Sequence, residues 1–455
     1  MLRSKLRWLY RGDDLDIEIK QLKAEGIDIS GLEKIVLKIS SMEDGPEKEA
    51  AASDFYNKFS HLQPIKKYIY DEPSNLKDIQ AASLSKETIK FTKPAKRELR
   101  EKIKGAWLGR CAGCLLGIPL ETWERKKIKA FLADTDNLPI KNYLSSDIGE
   151  SLRLKYEIQD KDLNEPYGRK IVSWINNVDG CPVDDDINYT VLSLKILEKF
   201  GIDFSPEEVA ATWITSIPVF HACTAERVAY RNILNGVFPP GSASFHNPYR
   251  EWIGAQIRGD MFGYINPGNP SKAAELAFRD ASVSHVKNGI YGEMWVAAML
   301  AIASCCENLE TIVRAGMGEI PRQSRLHEGL SQVLKLWNTG ADFESVIRSV
   351  HEQYDESDWY DWCHTIPNAM IACSSILYSD KNFDKAIDNA ITSGFDTDCN
   401  GATVGSIIGM IIGASGISHK WLKPLKEEIS STVDGYYKCN INDLVDRTVR
   451  LIDFR

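Results

Sequence analysis

Residues 394–413 read GFDTDCNGATVGSIIGMIIG. Glycines at 401, 405, 409 and 413 recur every fourth position through an apolar run. A spacing of four places them on one face of a helix. Each interior helical glycine costs about 0.8–1 kcal/mol relative to alanine, so local preference does not explain the pattern. A smooth stripe of this kind lets a second backbone approach closely. Upstream, GAWLGRCAGCLLGIPLE (105–121) repeats the device at 105, 109, 113 and 117. The two striped helices are expected to pack on each other.

That packing decides where several acids go. Glu121 lies just past the end of the first striped helix, and Asp396 and Asp398 open the second. If the helices run antiparallel, the three carboxylates meet at one end of the pair. A further cluster, Asp184-Asp185-Asp186, precedes INYTVLSLKILEKF, whose apolar face is Ile187, Val191, Leu194 and Leu197. A single aspartate at a helix start is a favoured cap. Three in a row, plus a DxD at another helix start, exceed what two caps need. Converging carboxylates must be neutralised by protons or by a cation. Hard oxygen donors in this number select Mg²⁺, Mn²⁺ or Ca²⁺ over zinc. Spacing alone leaves caps and a bound cation about equally supported.

The rest of the chain reads as helices. Ser205-Pro206-Glu207-Glu208 is a capping box with proline at the first helical position. TAERVAYRNILNG closes on Gly236, and segments such as SRLHEGLSQVLKLW carry apolar residues at three- and four-residue intervals. The fold expected is all-α. At 455 residues the chain exceeds a single core of about 250–300. A boundary is placed near Lys93-Pro94, giving an N-terminal helical extension (1–95) and a main domain (96–455). The segment from Phe238 to Pro270 is rich in Pro, Gly, Asn and aromatics, and reads as a long loop, functional or merely superficial.

A net charge of −9 argues against nucleic acid or an anionic membrane as partner. The longest apolar run, 402–417, falls short of the roughly 20 residues that span a bilayer. The basic start has no apolar core of signal-peptide length. Ten irregularly spaced cysteines suit a reducing cytoplasm.

From about Lys102 to Trp421 the chain resembles the ADP-ribosylglycohydrolase family, which includes the dinitrogenase reductase-activating glycohydrolases. GCLLGIPLE is similar to that family's GDALGxPxE motif, VDDDINYT to its TDDT motif and GFDTDCN to its GGDTDTN motif. ASVSH, ending at His285, resembles the family's Ser/Thr-His segment. The resemblance implies an all-α domain whose cleft holds Mg²⁺ or Mn²⁺, one or two ions, with Ca²⁺ as a substitute in crystals. It further implies hydrolysis at the anomeric carbon of ADP-ribose, with a small molecule or an ADP-ribosylated protein as substrate. Carried over by position, Asp184, Asp185, Asp186, Asp396, Asp398 and Glu121 are the metal-ligand candidates. Glu121 and Asp185 are the catalytic candidates, and His285, Asn288, Gly289, His364 and Cys399 the substrate-binding ones.

The chain departs from the pattern at three places. Val183 stands for the family's first threonine, Cys399 for the threonine after DTD, and Cys114 for the aspartate of GDALG. A one-residue slip would make Asp185-Asp186 the ligand pair instead of Asp184-Asp185. The C-x-x-C of Cys111 and Cys114 sits inside a glycine-striped helix without a second pair, which favours core thiols over a zinc site. His285 and His364 read equally as structural histidines. Tyr249, Trp252 and Tyr264 would serve either to stack on an adenine or to fill the core. The expected function is a divalent-metal-dependent N- or O-glycosidase. The alternatives are a non-catalytic nucleotide-binding or structural relative and a small-nucleoside hydrolase.

Overall fold

The computed structural model describes residues 6–59, 61–83, 91–162 and 166–452. The first five residues of the basic start lie outside that range.

At the centre stand the two glycine-striped helices, α1 (Lys96–Gly117) and, much later in the chain, Thr397–Ile412. They run antiparallel and in register. Gly105 lies against Gly409, Gly109 against Gly405, Gly113 against Gly401, and Gly117 against Thr397. A Cβ built at Gly105, Gly109, Gly113 or Gly117 would come within 3.0 Å of the opposing backbone. At that separation only hydrogen fits between the chains, so the stripes fix both the approach and the register. Helix α2 (Asp185–Phe200), α4 (Lys287–Ala303) and α5 (Thr365–Leu377) pack on the pair, α3 (Thr224–Leu234) lies between α2 and α4 in the chain, and the second striped helix becomes α6. Helix α4 is buried along almost its whole length. Its near-uniform apolarity is that of a core helix, not an amphipathic surface one. No described helix is long and apolar enough to cross a membrane.

Among the described residues, strand structure amounts to one antiparallel pair, β1 (Glu428–Ser430) with β2 (Lys438–Asn440). The chain is all-α in class.

Capping follows the sequence. Ser205 accepts from the Glu208 N–H and Glu208 returns a bond to the Ser205 N–H, opening the helix Pro206–Ser216. Ser205→Ala should lower stability by about 1 kcal/mol. Thermal unfolding checks this, and an unchanged midpoint would mean the box is dispensable.

The N-terminal helices Leu15–Ala24, Leu32–Ser40 and Pro46–Phe59 share a small core of their own, built on Leu22, Val36, Phe55 and Tyr56. They are tied to the rest of the chain by buried charge. Arg250 donates to Glu18 at 2.6 Å and to Glu25 at 2.9 Å, Gln21 donates to Glu251, and Glu72 pairs with Arg325 at 2.8 Å.

The segment around 238–270 differs from the expectation of a superficial loop. Every residue from 246 to 265 except Gly254 is buried, and short helices such as Asp260–Tyr264 interrupt it. Its anchors are arginines in the interior. Arg258 has no exposed surface and is paired with Glu226 at 2.6 Å and Asp280 at 2.5 Å. Such pairs are not readable as periodicity, which is why the segment looked irregular.

Candidate active site

The striped pair brings Glu121, Asp396 and Asp398 to one end, because α1 ends where α6 begins. A short 3-10 turn, Ile118–Leu120, carries the chain from α1 to Glu121. Asp396 is the N-cap residue of α6 and Asp398 lies in its first turn. Asn368, on α5, accepts the Asp396 N–H at 3.2 Å and so fixes this corner. Burial, then the charges of Asp398 and Asp184, push the Glu121 carboxyl well above its ordinary range. Glu121 thus lies within electrostatic reach of both clusters.

The third cluster arrives on α2. Asp184 is the N-cap, and its Oδ1 accepts the Asp186 N–H at 3.1 Å. Asp185 is half-buried. Burial and neighbouring acids raise Asp184 to about 6 and Asp185 to about 7. Asp186 is wholly buried. Its Oδ1 lies 3.1 Å from Arg110, which also holds Asp260 at 2.8 Å. Arg110 sits on α1 between two stripe glycines, so this ion pair clamps the start of α2 to the central pair.

Two carboxylate oxygens in this cluster are buried with no hydrogen-bond partner: Oδ2 of Asp186 and Oδ1 of Asp396. An orphaned buried carboxylate oxygen is costly, and a cation or a proton relieves it. Two groupings bring three donor atoms within 4.8 Å of one another: Cys114, Asp184 and Asp186, and then Asp186, Asp398 and Cys399. Burial holds the thiols of Cys114 and Cys399 well above the ordinary range, hence protonated and weak as donors. The effective donors are oxygens, and they fit a hard divalent cation.

The remaining sequence candidates lie elsewhere. Asn288 has all its amide atoms engaged, donating to Glu72 at 2.8 Å and Glu251 at 2.7 Å and accepting from the Leu326 N–H. Gly289 packs against the Arg250 carbonyl. His285 contacts the Ser284 hydroxyl and lines a cavity of about 540 Å³ between the N-terminal helices and the main body. His364 caps α5 through the Ile366 N–H. These four serve the junction with the N-terminal helices and a helix cap; Cys399 alone of the substrate-binding candidates stands at the cluster. Tyr249 and Tyr264 are core residues, with hydroxyls bound to Asp14 and Asp260, and Trp252 has no exposed surface. Filling the core, not stacking on a base, is what places all three.

Arg110 and Arg169 were not singled out by sequence. An arginine inside a glycine-striped apolar helix is itself a signal of a buried ion pair, so Arg110 was within reach. Arg169 lies in an aperiodic stretch and gave none.

The ADP-ribosylglycohydrolase family model matches residues 95–454. The chain therefore belongs to the ADP-ribosylglycohydrolase family, and is a hydrolase of the glycosidase kind. A solved structure described as an ADP-ribosylglycohydrolase-related protein complex is similar at 16% identity with a TM-score of 0.47, covering 78% of this chain and 98% of that one. No curated protein matches.

Proposed function

We propose that the chain hydrolyses the N- or O-glycosidic ribosyl bond of an ADP-ribosylated protein or a related ADP-ribosyl compound, with Mg²⁺ or Mn²⁺ as cofactor. Residues 96–455 would form the catalytic unit and 1–95 its helical extension. The observation that carries this reading is the convergence of Glu121, Asp184, Asp186, Asp396 and Asp398, two of them with orphaned oxygens, at the end of the striped pair.

When bound, the ion would supply positive charge that orients the ribose hydroxyls and a water. Asp186, Asp396 and Asp398 would hold it. The chain's own acids supply the rest. Cleavage at an anomeric carbon passes through an oxocarbenium-like state, whose positive charge nearby carboxylates stabilise. Glu121, once ionised, would take the proton of the attacking water; burial and the neighbouring acids oppose that ionisation, and positive charge at the cluster would favour it. Asp185, half-buried and raised to about 7, is placed to exchange a proton near neutral pH.

The test is a panel of arginine-, serine- and nucleotide-linked ADP-ribose substrates assayed with Mg²⁺ or Mn²⁺. Free ADP-ribose, or a close ribosyl analogue, should be released, and only with the ion present. Turnover of none of them would overturn the reading.

A second expectation concerns stability. An ion bound only by the folded chain stabilises it by about 2.7 kcal/mol at a hundredfold excess over Kd. Mg²⁺ or Mn²⁺ should therefore raise the melting temperature, and a chelator should reverse the gain. Asp396→Ala with Asp398→Ala should abolish the response. The Asp396 side chain makes no capping bond, so the double variant loses mutual repulsion and one first-turn bond, that from the Cys399 N–H to Asp398. Melting that ignores Mg²⁺, Mn²⁺ and Ca²⁺ alike would show that no such site exists.

A further inference from the structure

We infer that Arg169 is a cation built into the site: its guanidinium serves the Asp184 side of the carboxylate cluster, leaving a single divalent ion to the side formed by Asp186, Asp396 and Asp398. The inference rests on the metal-dependent reading above and adds to it the number and place of the ions.

The two donor groupings share Asp186 but are not equivalent. On the Asp184 side both carboxylate oxygens are already occupied. Oδ1 accepts the Asp186 N–H at 3.1 Å and Oδ2 lies 3.4 Å from Nη1 of Arg169. Arg169 is held in place by the Val183 carbonyl at 3.4 Å and by Asp162 at 3.7 Å, and its side chain is 9% exposed. Each grouping has a buried thiol as its third donor, Cys114 here and Cys399 on the other side, so the difference between them lies in the carboxylates and in Arg169. A divalent ion placed on the Asp184 side would stand beside a fixed positive charge that cannot be deprotonated away.

The other side differs. Its carboxylates in the grouping are Asp186 and Asp398, Asp398 Oδ1 accepts the Cys399 N–H at 3.0 Å, and Asp186 Oδ2 and the nearby Asp396 Oδ1 are buried and unpartnered. Arg110, the cation nearest Asp186, is taken up on the Oδ1 side and by Asp260. Two oxygens thus remain unanswered, while the Asp184 side has its positive charge supplied by the chain. Arg169 also keeps an Nε–H buried without an acceptor, a donor that an oxygen of bound substrate would satisfy.

The test is Mn²⁺ binding to the full chain, followed by calorimetry and by electron paramagnetic resonance. Wild type should take one Mn²⁺ per chain with the spectrum of an isolated ion. Arg169→Gln should take two and show spin coupling between them, whereas Arg169→Lys, which keeps the charge, should still take one. Melting curves establish that each variant is folded, and if Arg169→Gln does not fold, wild type and Arg169→Lys decide. Two ions in wild type, or one in a folded Arg169→Gln, would overturn the inference and leave the metal-dependent reading standing. No Mn²⁺ bound by wild type would overturn both.

Discussion

Gly109→Leu and Gly405→Leu should each cost more than about 4 kcal/mol, in the range reserved for severe core damage. In an isolated helix the same change would be favourable by close to 1 kcal/mol, because glycine is the poorest ordinary helix former. The sign reverses because of the partner. A Cβ at Gly109 would lie within 3.0 Å of the Gly405 backbone, and one at Gly405 equally close to Gly109. Backbone cannot swing aside as a side chain can. The helices must separate, and separation strips contacts along four stacked pairs and opens the corner that holds Glu121, Asp396 and Asp398. Alanine already violates the spacing, so Gly109→Ala should be destabilising too, by less than leucine. Denaturant unfolding with a slope near that of wild type gives the measurement. A leucine variant as stable as wild type would mean that the stripes tolerate separation, and the register argument would fall with it.

The stripes were legible in sequence because their spacing has no local explanation: eight costly glycines at fixed intervals demand a close partner. From that followed the pairing of the two helices, and, on the condition that they run antiparallel, the meeting of Glu121 with the DxD aspartates. The Asp184-Asp185-Asp186 cluster was legible as chemistry, though not its division of labour. Asp186 turns to Arg110 with one oxygen, Asp184 caps α2 and faces Arg169, and Asp185 stays half-buried. A triplet at a helix start points three ways at roughly a hundred degrees per residue, and only the neighbours decide which matters. His285, Asn288 and His364 make contacts that the sequence did not announce. Asn288 bonds the buried Glu72 and Glu251, His285 meets the Ser284 hydroxyl, and His364 caps α5. The junction with the N-terminal helices is built from pairs more than two hundred residues apart, such as Glu18 with Arg250, and no local pattern announces them.

Glu121→Gln is the substitution that separates chemistry from scaffolding. Glutamine keeps the size and much of the hydrogen bonding of glutamate, but it neither accepts nor releases a proton at ordinary pH. Loss of an acid–base group typically lowers kcat by about 10² to 10⁴, and a loss of that size is expected here. Stability should not follow it. In the folded chain the Glu121 carboxyl is pushed up by burial and by the charges of Asp398 and Asp184, so removing its charge relieves a cost. The variant should melt at or above wild type in the presence of chelator. Binding of ADP-ribose should persist, because the ligands proposed for the ion, Asp186, Asp396 and Asp398, are untouched. The three readouts together are diagnostic. A fall in kcat with binding and melting intact places Glu121 at the reacting bond. An unchanged kcat would remove it from the chemistry and leave Asp185, half-buried and near neutral in its titration, as the remaining acid of the cluster able to move the proton.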